Sequence, residues 1–386
     1  MHTALRTLFP LVLGSLGACA STPDYSRSLG EGEPALLPVD ADEIPDFSRE
    51  WDSREELLPA VELSIAWTSR PHAKQFFPQA GIDHARALAS LQRFAEILRA
   101  SGSPEEFQQA IVRDFQVYRS AGWDGRGGGV LFTAYCTPIL RGSLERAPGY
   151  DHPLYALPPD LKKAPDGSVL GWETAIGRIP DYPARGAIEA GGLLENRGLE
   201  LVWLTDPIDA YLAHVNGSAF IELPNGTMHR LGYAGKNGRA YTSLGQELEA
   251  DGKIPRGQAS LKSIREWAAK APAEELSSYL RRNQSFVFFT PIQGNPHGSL
   301  DFPVTAGRSV ATDKTLFPRG AVVFVAGGEK KKNADAPVDR FYLDQDTGGA
   351  IRTAGRADLY LGIGDEAEEV AGRLKLEGQM YYLFLR

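Results

Sequence analysis

Apolar positions recur at three- and four-residue intervals in "DHARALASLQRFAEILRAS", where Leu88, Leu91, Phe94, Ala95 and Leu98 fall on one face of a helix. The next segment, "SPEEFQQAIVRDFQVYRS", has Ser103 where a cap belongs, Pro104 at the first helical position and Glu106 three residues after the serine, the order of a capping box. Two packed helices are therefore expected before the first strand. From Val130 the period shortens. "GVLFTAYCTPIL", "GLELVWLTDPIDAYLAHVNGSAFIEL" and "GTMHRLGYAGKNGRAYTSLG" read as short strands broken by glycine and proline, with a hairpin turn at "PNGT" from Pro224. Helical spacing returns in "SLKSIREWAAKAPAEELSSYLRRN", with Ser260 as cap and Leu261, Ile264 and Trp267 on one face. "SFVFFTPI", "AVVFVAGG", "RFYLDQD" and "RADLYLG" read as strands, and "GDEAEEVAGRL" as a small helix capped by Asp365. The pattern predicts a mainly β fold with accessory helices, built from barrels and without internal repeats.

At 386 residues the chain exceeds the usual size of one compact core, so two lobes are expected. A formal charge of -8 argues against nucleic acid as a partner, because phosphate binding needs a basic surface. The dense basic run "EKKKN" (Glu329 to Asn333), between Gly328 and Pro337, reads as a solvated loop tip. At the N-terminus Arg6 precedes an apolar stretch from Leu8 to Leu16 and small residues leading to Cys19. This run is too short to span a bilayer and reads as a signal peptide over residues 1–18. "LGSLGAC" resembles the bacterial lipobox, in which the cysteine, here Cys19, becomes the lipid-modified first residue; an ordinary secretory signal cut nearby is the alternative. Ala20 and Ser21, with no aspartate after the cysteine, imply by the same resemblance the periplasmic face of the outer membrane of a Gram-negative bacterium. With Cys19 acylated, Cys136 has no partner and no internal disulfide is expected. Residues 19–55, rich in proline, glycine, serine and acid, read as a flexible tether.

No metal or cofactor is expected. His2, His72, His84, His152, His214, His229 and His297 form no HExxH or closely paired set, and there is no CxxC. "GRGGGV" lacks the lysine of a phosphate-binding loop, and no G-x-S-x-G elbow offers a nucleophilic serine. Carboxylates remain. In "RADLYLG" strand alternation sends Ala357, Leu359 and Leu361 to one face and Arg356, Asp358 and Tyr360 to the other. If that second face lines a groove, desolvation raises the pKa of Asp358 and makes it an acid; if Asp358 pairs with Arg356 or caps a turn, its role is structural and its pKa falls. Asp346, before Thr347, Gly348 and Gly349, has the composition of a turn former.

The stretch "QDTGGAIRTAGRADLYLGIGDEAEEVAG" closely resembles the C-terminal signature of the membrane-bound lytic murein transglycosylase A family. "FTAYCTP" (Phe132 to Pro138) resembles its T-G-Y-Y-x-P segment, and "DPIDAYLAHVNGSAFIELPNG" (Asp206 to Gly226) its D-P-x-D-x-F-x-x-H-V-Q-G-S-G run. "LGYAGKNGRAYTSLG" and "NQSFVFF" continue in order, so the resemblance covers about Val130 to Arg386. Departures are Asn216 for the usual glutamine, Ala134 and Thr353 for glycine, Cys136 for tyrosine, and an aspartate spacing one residue longer than in some members.

The resemblance implies a double-psi β-barrel lobe (residues 56–139 and 292–386), an inserted β-rich lobe (140–291) and a groove between them for a peptidoglycan glycan strand. It implies cleavage of the MurNAc–GlcNAc β-1,4 bond with formation of 1,6-anhydro-MurNAc ends, the single catalytic acid being Asp358. Asp346 would order the site or stabilise positive charge. Thr133, Tyr135, Asn216, Gly217, Ser218 and Gly348 are candidates for lining sugar subsites. Other cell-wall enzymes are candidate partners of an expected monomer. Two rival readings stay open: a hydrolase with Asp346 as second carboxylate, which needs about 6.5–9.5 Å between the carboxyls if inverting, and a non-catalytic wall-binding lipoprotein.

Overall fold

The computed structural model describes residues 22–164, 168–328 and 338–386; Cys19 and the "EKKKN" run lie outside them. The fold is mixed α/β, and the described residues form a sheet of eight strands, one of six, and a small one of three.

Six strands of the first sheet close on themselves. In order around the ring they are Leu376–Leu385, Val322–Gly327, Arg340–Asp346, Ser309–Ala311, Arg356–Ile363 and Val130–Thr137, the last pairing back to the first through Phe132 opposite Leu376. Side-chain alternation divides these strands between two cores. Val323, Val325, Tyr342, Leu359, Met380 and Tyr382 join Phe132 and Val310 in a cluster enclosed by the ring. Their neighbours Val322, Phe324, Phe341, Leu343 and Leu383 face outward and are covered by helices Arg54–Thr68, His84–Ala100 and Pro104–Asp114, through Leu57, Phe94 and Phe107. Burial on both faces explains why "AVVFVAGG" is apolar throughout instead of alternating.

The helical caps follow their local chemistry. Asp83 accepts the Arg86 amide at 2.8 Å, and Ser103 accepts the Glu106 amide at 3.2 Å. Glu106 returns its bond to the Gly102 amide, one residue before the cap, so the expected box is displaced. The second helix ends at Asp114, and "FQVYRS" is a strand, Phe115–Ser120, not a continuation. A further helix, Arg54–Thr68, precedes both expected ones. Asp365 is the first residue of its helix and Gly364 the cap.

Residues 22–55 depart most from expectation. Instead of a flexible tether, they add an edge strand, Leu36–Pro38, paired with Phe115–Ser120. Phe47 is fully buried with its ring centroid 4.8 Å from that of Phe324, a burial worth about 1.5–3 kcal/mol. Glu50, 4% exposed, accepts the Phe341 amide at 2.7 Å and pairs with Arg308, itself 2% exposed.

The chain leaves the closed ring at Pro138 and enters the six-stranded sheet, whose order is Val287–Pro291, Met228–Lys236, Ala219–Glu222, Ile139–Ser143, Glu200–Leu204 and His152–Tyr155. The hairpin at Pro224 joins the third and second of these, with the Leu223 amide bonded to the Thr227 carbonyl at 2.9 Å. Inside the run read as strands, Pro207–Asn216 is a helix, capped by the Asp206 carboxylate on the Ile208 amide at 2.8 Å and ended by Gly217 at φ 73°. The two lobes are joined by Arg265, which pairs with Asp209 at 2.7 Å and with Glu368 at 3.0 Å.

Removing Glu50 takes from the buried Arg308 guanidinium its buried carboxylate partner and leaves it the Phe341 carbonyl at 3.2 Å and the exposed Glu56 at 3.5 Å. Glu50→Ala is expected to cost about 3–5 kcal/mol, measured as a lower midpoint in urea unfolding; an unchanged midpoint would show that the leading segment does not hold the barrel together.

Candidate active site

Two aspartates reach one cleft from neighbouring parts of the ring. Strand Arg356–Ile363 pairs in parallel with Val130–Thr137, in a register that sets Asp358 opposite Thr133 and Tyr360 opposite Tyr135. On its other side Asp358 faces Ala311. The Thr133 hydroxyl donates to Asp358 Oδ1 at 2.9 Å. Arg356 does not pair with Asp358; its Nη2 donates to Thr133 Oγ1 at 3.4 Å. Desolvation dominates the carboxyl and pushes its pKa up from 3.8 to about 6, against the opposing Thr133 bond and Arg356 charge and with the Asp346 charge adding to the rise.

Asp346 ends its strand and is bonded differently. The Tyr135 hydroxyl donates to Oδ2 at 2.6 Å, and the Ser299 and Thr347 amides donate to Oδ1 at 2.9 and 2.8 Å. Asp346 acts only as an acceptor in these three bonds, the role of an ionised carboxylate. Burial still moves its pKa upward, opposed by those donors and by the charge of Lys314. Burial and the Asp346 charge hold the Tyr135 hydroxyl far above its ordinary pKa, so it stays a donor. Gly298 makes this possible: a Cβ there would lie 2.7 Å from the Gln345 carbonyl oxygen and 3.2 Å from Asp346 Cγ.

The cleft, about 130 Å³, is lined by Tyr135, Ala311, Asp346 and Asp358 from the ring, by the Thr347-to-Ile351 loop including Gly348, and by Val215, Asn216 and Tyr241 from the other lobe. Asn216 is the last residue of helix Pro207–Asn216, which His214, two residues before it, anchors by burial. His214 Nδ1 accepts the Val287 amide at 3.2 Å, and burial with the Arg185 charge keeps the ring neutral. Gly217 is the left-handed end of that helix. Ser218, a candidate subsite residue, instead lies buried behind the wall, 3.3 Å from Thr137 Oγ1, which in turn meets the Tyr360 hydroxyl at 3.1 Å. Tyr241 escaped sequence reasoning; its only signal was a place in the ordered "LGYAGKNGRAYTSLG" stretch. Thr353, where glycine is usual in the resembling family, adopts φ 124° and is held by its amide on Asp313 at 3.1 Å and its hydroxyl on the Tyr25 carbonyl at 2.8 Å. Among the described residues no three His, Cys, Asp or Glu side chains converge to hold a metal ion.

Residues 131–290 match the family model of the MltA specific insert domain and residues 308–384 that of the 3D domain. The membrane-bound lytic murein transglycosylase A of Vibrio cholerae is 30% identical over 301 residues, 76% of this chain and 75% of that protein. The chain belongs to the membrane-bound lytic murein transglycosylase A family. Like the proteins it resembles, it is a lytic murein transglycosylase. Among solved structures, a membrane-bound lytic murein transglycosylase from Agrobacterium tumefaciens superposes with a TM-score of 0.76 at 27% identity, covering 91% of this chain and 98% of that one. The Escherichia coli protein of this family, at 23% identity and a TM-score of 0.69, shares the fold over 94% of this chain and 99% of its own.

The raised pKa has a thermodynamic counterpart. Folded Asp358 holds its proton more tightly than the unfolded chain does, so its contribution to stability falls as pH rises between about 4 and 6. In this transglycosylase Asp358→Asn should therefore raise Tm above pH 6 and lose that gain below pH 4, read by scanning calorimetry. A Tm difference that is flat across the range would place the carboxyl at its ordinary pKa.

Proposed function

We propose that the chain cleaves the MurNAc–GlcNAc β-1,4 bond of peptidoglycan with Asp358 as the single acid and base, leaving a 1,6-anhydro-MurNAc end. Protonated Asp358 gives its proton to the glycosidic oxygen as the bond to C1 breaks. The resulting carboxylate takes the proton of the C6 hydroxyl as that oxygen closes on C1, and no water is consumed. Ordinary glycosidases divide these tasks between two carboxylates; here the substrate supplies its own nucleophile.

The observation that carries this reading is the unequal treatment of the two aspartates. Asp358 has one donor, Thr133, and a pKa raised to about 6, which suits a group that must both give and take a proton. Asp346 is occupied by Tyr135, Ser299 and Thr347. That arrangement favours a role in ordering the site or stabilising positive charge over activating water, and so argues against the two-carboxylate hydrolase. The Escherichia coli relative is known with bound chitohexaose. A glycan strand in the inter-lobe cleft, over Tyr135, Asn216 and Gly348, is the corresponding proposal for this chain. The six-stranded closed ring supports assignment of a double-psi β-barrel to residues 56–139 and 292–386, with 140–291 inserted. Relatives named as membrane-bound support attachment to a membrane, for which an anchor at Cys19 on the periplasmic face of the outer membrane is the corresponding proposal.

Asp358→Asn should abolish release of anhydro-muropeptides from sacculi, by about 10² to 10⁴ in rate or more, with Asp346→Asn doing less. Mass spectrometry of the products decides the chemistry, since hydrolysis adds a water and anhydro formation does not; near-normal turnover in Asp358→Asn would defeat the assignment. Cys19→Ser should release the protein from the membrane fraction, and a variant still processed and held in the outer membrane would contradict the anchor.

A further inference from the structure

A guanidinium two residues from Asp358 on the same strand face does not contact it. Arg356 reaches Thr133, which the parallel register sets beside Asp358, and the three groups form a short chain: Arg356 Nη2 to Thr133 Oγ1 at 3.4 Å, Thr133 Oγ1 to Asp358 Oδ1 at 2.9 Å. A guanidinium has donors and no acceptor, and a threonine hydroxyl has one hydrogen. With Arg356 donating to it, the Thr133 oxygen is an acceptor on that side, and its hydrogen is committed to Asp358 Oδ1. Oδ1 is then already an acceptor, so the proton of neutral Asp358 belongs on Oδ2. Arg356 gains little for itself: its Nε is buried without a hydrogen-bond partner among the described residues. A buried donor left unpaired costs stability, which the side chain would avoid by turning outward.

We propose that Arg356 is a positioning residue that acts through the Thr133 hydroxyl to hold the transferable proton of Asp358 on Oδ2. The proposal rests on the reading of Asp358 as the acid. Without the guanidinium, the hydroxyl is free to turn and accept the carboxyl proton at Oδ1, which withdraws it from the glycosidic oxygen. Loss of the nearby positive charge also moves the pKa of Asp358 further upward, because Arg356 opposes its rise.

The test uses the full chain on sacculi, with pH profiles of kcat and KM for wild type, Arg356→Lys, Arg356→Met, Thr133→Val and the Thr133→Val/Arg356→Met pair, and thermal melts as folding controls. Arg356→Met should lower kcat about five- to tenfold, the worth of one hydrogen bond, leave KM nearly unchanged and shift the alkaline limb of the profile to higher pH. Arg356→Lys, which keeps the charge and donors, should restore most of the rate. In the Thr133→Val background, Arg356→Met should cost no further kcat. An unchanged kcat and limb in Arg356→Met, a loss confined to KM, or an equal loss with and without Thr133 would each overturn the proposal. An active Asp358→Asn variant would instead overturn the assignment of the acid, a separate result.

Discussion

The parallel pairing of strand Arg356–Ile363 with Val130–Thr137 is the constraint on which the rest of the site depends. Parallel neighbours need a long connection between them, and here that connection includes the entire second lobe. The pairing does two things at once. It helps close the ring, and it sets three polar side chains of one face, Thr133, Tyr135 and Asp358, beside one another at a cleft that Val215, Asn216 and Tyr241 of the other lobe also line. A one-residue slip of strand Arg356–Ile363 would turn Asp358 to the opposite face, away from Thr133 and Tyr135.

Burial raises the pKa of both aspartates, and their hydrogen-bond partners then separate their chemistry. Asp346 is met by a phenol and two amides, while Asp358 is met by one hydroxyl that is itself engaged by Arg356. Identical carboxyls thereby become an ordered acceptor and a carboxyl whose pKa lies near 6. The arrangement costs stability above that pH, a common feature of sites whose groups are held away from their solution preference.

Beneath the site, the fold stores other polar groups in pairs. Glu50 with Arg308, and Asp344 with Lys314, Thr312 and Tyr382, tie the ring to the leading segment and to the strand that carries Asp346. Thr312 links the Asp344 network to Asp346. Its hydroxyl donates to Asp344, its amide to the Asp346 carbonyl at 3.1 Å, and its carbonyl accepts from the Thr347 hydroxyl at 2.9 Å. The positions of the cleft residues are therefore set from below as well as by the facing lobe.

Local patterns were legible without a structure where the cause is local. The caps Ser103 and Ser260, the hairpin at Pro224 and the buried strands at 322–327 and 340–346 each depend on neighbours within a few residues, and their chemistry is written there. The order of the motifs around Asp358, Tyr135 and Asn216 was likewise enough to point to the family. Other features follow from contacts across long separations, which no local period encodes. "FQVYRS" becomes a strand because it docks against Leu376–Leu385, and residues 22–55 are ordered because Phe47 and Glu50 find partners near residue 341. Tyr241 enters the cleft only when the lobes meet. The environment of the proposed acid at position 358 was of the same kind. It turned on whether Arg356 would reach the carboxyl or Thr133, a residue 225 positions from Asp358 in the chain, and only the strand register decides that.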